Sequence, residues 1–245
     1  MAGTALLMAG GRGERMAPFS RLPKPLVPVA GVPLLVRNLT ALLRYGLTDL
    51  HVAIPAGADL LRGFLTDHCS PFVRRHGARL SLIVEPLPLG TLGAAAELCG
   101  RCDALLVVNA DNLTSLDLSV LLRHHLGPPA AAMTLAVHTQ PIPVPWGQIE
   151  MVAGRVVAYR EKPHLPVPIC SGCYVLGPEA MAALRVGQRC DAPDLVRALV
   201  ASGMDVRACE HSARWVDVND GAAVARATTM VLEHPEDFPG PEGLL

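Results

Sequence analysis

Between Leu7 and Met16 the chain reads Leu-Met-Ala-Gly-Gly-Arg-Gly-Glu-Arg-Met, and Pro23-Lys24-Pro25 follows shortly after. A glycine-rich turn lets backbone N–H groups approach and surround phosphate oxygens. Arg15 and Lys24 then supply cationic clamps suited to a triphosphate. The bland alternative is that Gly10, Gly11 and Gly13 serve only a tight strand-to-helix turn. No Gly-Lys-Ser/Thr follows, so this is not a P-loop, and it does not match a dinucleotide-binding glycine fingerprint. Each proline disfavours helix in the residue before it, so Pro23-Lys24-Pro25 holds the loop extended. Further on, Asp111 and Asp217 each follow a short apolar run. Two separated carboxylates can hold Mg²⁺ against phosphates, because the ion takes one or two protein carboxylates plus phosphate oxygens. The competing role for Asp111 is a helix cap, which Asp117, just before Leu118, fits better. Of the 21 Lys and Arg residues only Lys24 and Lys162 are lysine, and they sit in Pro-Lys-Pro and Glu-Lys-Pro. A chain that otherwise uses arginine has placed its compact ammonium groups where point charges meet phosphates.

These residues need a scaffold. Short apolar runs alternate with helix-length amphipathic stretches, the rhythm of an α/β fold with a mostly parallel sheet. The pattern predicts strands at Thr4–Met8, Leu50–Ile54, Arg79–Val84, Ala104–Val108 and Ala131–Val137. Helices are expected at Pro33–Tyr45, Ala58–His76, Thr91–Cys99 and Leu116–His125. From Trp146 onward shorter, antiparallel strands are expected at Gln148–Val152, Arg155–Arg160 and Ile169–Leu176, with Ala153-Gly154 as a hairpin turn. Helices return at Ala192–Ser202 and Ala222–Leu232. Asp111 then falls at the carboxyl edge of the sheet, where open α/β sheets bind ligands. The expected organisation is one domain over 1–233, with a nucleotide-binding half (1–138) and a second ligand-binding half (139–233). The Pro-, Gly- and acid-rich stretch 234–245 reads as a flexible tail.

Composition narrows the partners. The chain has 245 residues, 51% hydrophobic and 18% charged, which suits one large buried core and excludes a disordered polyelectrolyte. A net charge of −1 gives no electrostatic case for nucleic acid or an anionic membrane surface. No apolar run reaches the ~18 residues of a membrane span. Arg12 and Arg15 follow the first apolar stretch, the wrong order for a signal peptide. A cytoplasmic protein is expected. The 7 cysteines read as reduced and mostly buried. A zinc site from Cys99/Cys102 together with Cys170/Cys173 is disfavoured: the second pair lies in an expected strand, where positions three apart face opposite sides of the sheet, and zinc usually wants tight turns around such pairs.

Taken in order, the motifs resemble the sugar-1-phosphate nucleotidyltransferase family, which includes mannose-1-phosphate guanylyltransferases and glucose-1-phosphate thymidylyltransferases. The likeness rests on Gly10-Gly11-x-Gly13-x-Arg15-Met16 with Pro23-Lys24-Pro25-Leu26-x-Pro28-Val29, then Glu85 with Pro88-Leu89-Gly90-Thr91. It continues through Asn109-Ala110-Asp111, Trp146-Gly147, Glu161-Lys162-Pro163, Ser171-Gly172-x-Tyr174 and Trp215-Val216-Asp217. The resemblance implies a Rossmann-like fold with a mixed, mostly parallel central sheet. The implied reaction joins a nucleoside triphosphate to a sugar 1-phosphate and releases pyrophosphate, with Mg²⁺ as cofactor on Asp111 and Asp217. Arg15, Lys24 and Lys162 become the catalytic cations. Ala9, Gly10, Gly11 and Gly13 hold the nucleotide, and Glu85 and Gly90 fall where the family reads the base. A carboxylate can accept from both N1–H and N2–H₂ of guanine, which favours GTP. Gly147, Glu161, Lys162 and Ser171 fall to the sugar phosphate, although Glu161 and Lys162 could be a mere surface ion pair. Two departures stand out: Cys170 replaces the family's usual Asn, and Asn112 follows Asp111. They leave open a cyclitol or choline phosphate as acceptor. A non-catalytic nucleotide-sugar sensor is the alternative of another class. No nucleic acid or membrane partner is implied, and there is room for a homo-oligomer.

Overall fold

The structure is a computed structural model that describes residues 3–11, 13, 16 and 18–241. Strand β1 (Gly3–Met8) is followed by a small ribbon, β2 (Pro28–Val29) and β3 (Val32–Pro33), then helix α1 (Leu34–Arg44) and β4 (Leu47–Pro55). Helices α2 (Asp59–Phe64) and α3 (Ser70–Arg75), joined by a π turn, lead into β5 (Arg79–Glu85). Next come a 3₁₀ turn at Gly93–Leu98, β6 (Leu105–Asn109), β7 (Asn112–Thr114), α4 (Leu118–Leu126) and β8 (Met133–Pro143). The rest is β9 (Gln148–Val152), β10 (Arg155–Arg160), β11 (His164–Leu176), α5 (Pro178–Ala182), α6 (Ala192–Ala201), β12 (Val206–Glu210), β13 (Trp215–Asp217) and α7 (Gly221–Glu233).

Seven strands form the central sheet in the order β12-β8-β11-β6-β1-β4-β5, and only β11 runs against the others. The mixed, mostly parallel sheet expected from the sequence is therefore the observed one. Alternation along the strands feeds two cores. Ala5 and Leu7 of β1 and Leu106 and Val108 of β6 join the core that includes α1, α2, α3 and α4. Leu6, Leu105 and Val107 face the other way, onto the 3₁₀ turn, α5 and α6. That division is the period-2 arithmetic of a sheet covered on both faces.

Several elements differ from expectation for identifiable reasons. Ala58–His76 is not one regular helix. Pro71 has no N–H to donate to the carbonyl four residues back, and the π turn at Leu65–Cys69 absorbs the mismatch just before it. Ser70 Oγ donates to the Leu65 carbonyl at 3.1 Å within that turn. The helix expected at Thr91–Cys99 is a 3₁₀ turn, in keeping with its small, closely packed Gly93-Ala94-Ala95-Ala96. Asp117 caps α4 by accepting from Ser119 N at 2.9 Å, the cap role read from sequence. Strand β12 went unforeseen, although Val206–Glu210 pairs in parallel with β8. The expected Ala153-Gly154 hairpin turn is present, with φ of +49° and +79°. Beyond α7, where fraying was expected, Phe238 packs into a cluster with Val29, Leu34 and Val231, and Arg214 Nε donates to Asp237 at 3.1 Å.

All the parallel strands end on one edge, and there β1 has β4 on one side and β6 on the other. Chain connectivity reverses direction at that point, which opens a crevice beyond the strand ends. Strands β8 and β11 continue past the same edge, pairing His164 with Pro143 through Ile169 with His138, and carry the β9–β10 hairpin.

Phe72 is 1% exposed in the larger core. Phe72→Ala should cost about 3–5 kcal/mol of stability. Urea denaturation of both proteins measures it.

Candidate nucleotide-binding site

Beyond β1, β5 and β6 lies a cleft of about 490 Å³ lined by Ala9, Gly10, Gly11, Lys24, Glu85, Gly90, Asn109 and Asp111, among others. Seven of these eight were singled out as site residues from the sequence; Asn109 belonged to a quoted motif without a role of its own. Met8 pairs with Asn109 across β1 and β6, so the glycine turn and Asp111 emerge side by side. Glu85 ends β5, opposite Pro55 of β4.

Within the cleft Glu85 is 3% exposed, and burial pushes its carboxyl up from the usual carboxylate range. A Cβ at residue 10 would fall 2.2 Å from Glu85 Oε2, so only glycine admits this carboxylate. Among the described residues, Glu85 Oε1 and Asn109 Oδ1 are buried without a hydrogen-bond partner. Buried polar atoms are nearly always paired, and two orphaned acceptors in one cleft point to a ligand that donates to them.

Gly90 carries φ of +79°, and a Cβ there would meet Asp191 Oδ1 at 2.5 Å and the Cys190 carbonyl at 2.7 Å. The loop is clasped at that point. Asp191 Oδ1 accepts from Thr91 N at 3.1 Å, Thr91 Oγ1 accepts from Ala192 N at 2.7 Å, and Leu92 N donates to the Cys190 carbonyl at 3.0 Å.

Lys24, also lining the cleft and with its side chain 11% exposed, donates from Nζ to Asp111 Oδ2 at 2.8 Å. The same ammonium donates to Asn219 Oδ1, and the Asn219 amide nitrogen donates to Asp217 Oδ2. The two aspartates expected to hold metal are thus linked through one lysine and one asparagine. β13 supplies Asp217 and pairs with β7, placing it opposite Asn112. Asp111, Asp217 and Asn219 offer hard oxygen donors around a spot now neutralised by an ammonium, a donor set that fits Mg²⁺. Gly13, with φ of +61°, sits under the stem of Lys24, where a Cβ would lie 3.1 Å from Lys24 Cβ.

The second set of expected residues divides. Gly147 and Glu161 stand on the hairpin arm, joined by Tyr159: its hydroxyl donates to Glu161 Oε2 at 2.9 Å, and a Cβ at residue 147 would meet that hydroxyl at 2.1 Å. Lys162 is exposed with φ of +43°, sparsely populated for a residue with a Cβ. Glu161 is exposed too, and no ion pair joins it to Lys162 among the described residues. None of these three lines the cleft. Ser171 departs from expectation. It is 0% exposed. Its Oγ lies 2.9 Å from His138 Nδ1 and 2.7 Å from His211 Nε2, so the hydroxyl is committed inside the protein. The Ser171 carbonyl accepts from Asn112 Nδ2 at 2.6 Å and Trp215 Nε1 at 2.9 Å, which explains the unusual asparagine after Asp111. Arg15 lies outside the described residues. Cys170 is exposed while Cys173 is buried, its thiol pushed up to about 12 by burial.

Sequence reading missed Asn219, Tyr159, Arg189 and Asp191. Asn219 left one faint signal, alternation with Asp217 just past β13. Arg189 and Asp191 left none, because the loop that bears them reaches the cleft only through tertiary contacts.

A glycine turn, a buried acceptor and a lysine-bridged carboxylate pair at the switch point of a mostly parallel sheet define a nucleotide-binding α/β protein. Residues 4–233 match the Nucleotidyl transferase family, and the chain belongs to it. It is similar to the mannose-1-phosphate guanyltransferase beta-A of Xenopus laevis, at 26% identity over 95% of this chain and 67% of that one. The glucose-1-phosphate thymidylyltransferase of Streptomyces griseus is 28% identical over the same shares, 95% and 67%. Among solved structures, HddC from Yersinia pseudotuberculosis superposes with a TM-score of 0.70 at 20% identity, covering 93% of this chain and 99% of that one. The last comparison speaks to the fold. Among the described residues no helix is long and apolar enough to cross a membrane.

The raised carboxyl of Glu85 has a consequence for stability. Ionising it costs more in the folded state than in the unfolded chain, so it lowers stability as pH rises through the unfolded carboxylate range, and the penalty levels off above the folded pKa. Below that range the group is neutral in both states and the penalty vanishes. Glu85→Gln should therefore gain stability relative to the wild type at neutral pH more than in acid. Thermal melts at the two pH values test the sign.

Proposed function

We propose that this protein transfers the nucleotidyl group of a nucleoside triphosphate, with GTP preferred, to a sugar 1-phosphate and releases pyrophosphate. One observation carries the reading: the partnerless Glu85 oxygen, buried in the cleft that also holds the Lys24–Asp111 pair. A carboxylate acceptor suits the two N–H donors of guanine, and a buried ammonium suits a triphosphate.

An oxygen of the sugar phosphate attacks the α-phosphorus in line, forming a new P–O bond as the bond to pyrophosphate breaks. The acceptor is ionised at neutral pH, so no base is required, and no covalent enzyme intermediate forms. The chain contributes alignment and charge. Gly10 and Gly11 let the backbone approach the phosphates, Glu85 and the Gly90 loop orient the base, and Lys24 turns from Asp111 toward the triphosphate. Mg²⁺ on Asp111 and Asp217 would supply further neutralisation of the phosphate charge. Gly147, Glu161 and Lys162 of the arm, which rises from the same sheet edge, are assigned to the sugar phosphate. Arg15 belongs with the triphosphate by its motif. The Lys24–Asp111 pair favours an enzyme over a sensor, and seven unpaired cysteines suit a reducing, cytoplasmic setting.

Two variants divide the labour. Lys162→Met should leave triphosphate binding near normal and sharply reduce kcat/KM for the acceptor, whereas Lys24→Met should weaken triphosphate binding directly. Calorimetric titration with triphosphate and Mg²⁺, run beside pyrophosphate-release assays, distinguishes them; equal losses of triphosphate affinity would refute the assignment.

Asp111→Asn should lower kcat by roughly 10²-fold or more, the scale of one lost preorganised electrostatic element. Near-normal turnover with Mg²⁺ present would remove Asp111 from the site.

A further inference from the structure

Arg189 has no part in the chemistry above, yet it lines the same cleft as Glu85 and Gly90. Its side chain is 69% exposed, so it needs no burial to account for it. What fixes it is Asp191: Arg189 Nε and Nη2 both donate to Asp191 Oδ2, at 3.1 and 2.9 Å. The other carboxylate oxygen, Oδ1, accepts from Thr91 N at 3.1 Å and lies where a Cβ on Gly90 would be 2.5 Å away. One carboxylate thus ties the guanidinium to the Gly90 loop. Nη1 makes no hydrogen bond among the described residues and remains a donor for something in the cleft.

We propose that Arg189 is a specificity-determining residue that reads the O6/N7 edge of guanine. Glu85 offers acceptors and Arg189 offers donors. Guanine presents the complement on two edges, N1–H and N2–H₂ on one and O6 and N7 on the other. Adenine replaces O6 with an amino donor, which faces a guanidinium unfavourably, and pyrimidines lack N7. The inference rests on the reading of the cleft as a GTP site and adds the residue that selects the purine's second edge. It also gives Asp191 a role, because a guanidinium pinned on one side keeps its planar fork aimed.

The test compares GTP with 7-deaza-GTP, which lacks only the N7 acceptor, in wild type and Arg189→Ala. Wild type should bind 7-deaza-GTP about tenfold more weakly than GTP, the worth of half a bidentate arginine–guanine pair. Arg189→Ala should bind GTP about 10–100-fold more weakly and lose the discrimination between the two nucleotides. Glu85→Gln, measured in parallel, should weaken GTP while keeping the preference over 7-deaza-GTP. Equal affinity of wild type for both nucleotides, or discrimination that survives in Arg189→Ala, overturns the role of Arg189 while leaving the GTP reading intact if Glu85→Gln still weakens GTP. A uniform loss across GTP, ATP and UTP in Arg189→Ala overturns it too, since that marks a phosphate contact. Failure of wild type to prefer GTP to UTP overturns both the reading and the inference.

Discussion

The ammonium of Lys24 is the point on which the site depends. It reaches from the loop after β1 to Asp111 beyond β6, and to Asn219 beyond β13, which holds Asp217. Three stretches distant in sequence meet at one charge. A lysine this deeply covered would be costly without a carboxylate, and two carboxylates brought together would repel without a cation. Each makes the other tolerable. The arrangement also leaves the pair ready for exchange: a triphosphate with its metal brings both an anion for the lysine and a cation for the aspartates.

The rest of the cleft is built on steric permission. Gly10 allows a buried carboxylate to stand against the backbone, and Gly90 allows Asp191 to approach its loop. In both places a methyl group would fall within 2.5 Å of an oxygen. The glycine turn therefore serves more than one purpose. It gives the backbone its reach toward phosphate, and it makes space for the group proposed to read the base. Glu85 bears a desolvation penalty in the absence of a ligand, the kind of local cost that functional sites carry.

The hairpin arm is governed by different physics. Its strands β9 and β10 pair only with each other, and Tyr159, Ile149, Met151 and Val156 are all exposed. It hangs from the long β8–β11 pair at the sheet edge that also bears the cleft. Ser171 sits between His138 and His211, with the His138 ring tilted by 43° against Trp215 at 4.6 Å between centroids. Burial and the neighbouring His138 hold His211 below its ordinary pKa. The polar cluster thus braces β13, and through it Asp217.

What the sequence by itself determined was local. The short apolar runs of β1 and β6 reported a sheet buried on both faces, and the glycine run and the scarcity of lysine singled out Gly10, Gly11 and Lys24, which line the cleft; the extended loop expected at Pro23-Lys24-Pro25 is instead a 3₁₀ turn over Lys24–Leu26. Asp117 before Leu118 announced its cap. These features rest on interactions within a few residues, which spacing and residue type express directly. The tertiary structure alone decided which groups meet. Lys24 and Asn219 lie 195 residues apart, and Thr91 and Asp191 lie 100 apart. No local pattern encodes such pairs. Ser171 shows the same limit from the other side: its motif pointed to the ligand, but the side chain's direction follows from β11's bulge between Cys170 and Tyr174 and from the two histidines that claim its hydroxyl. Residue type says what a side chain can do; only packing says what it faces.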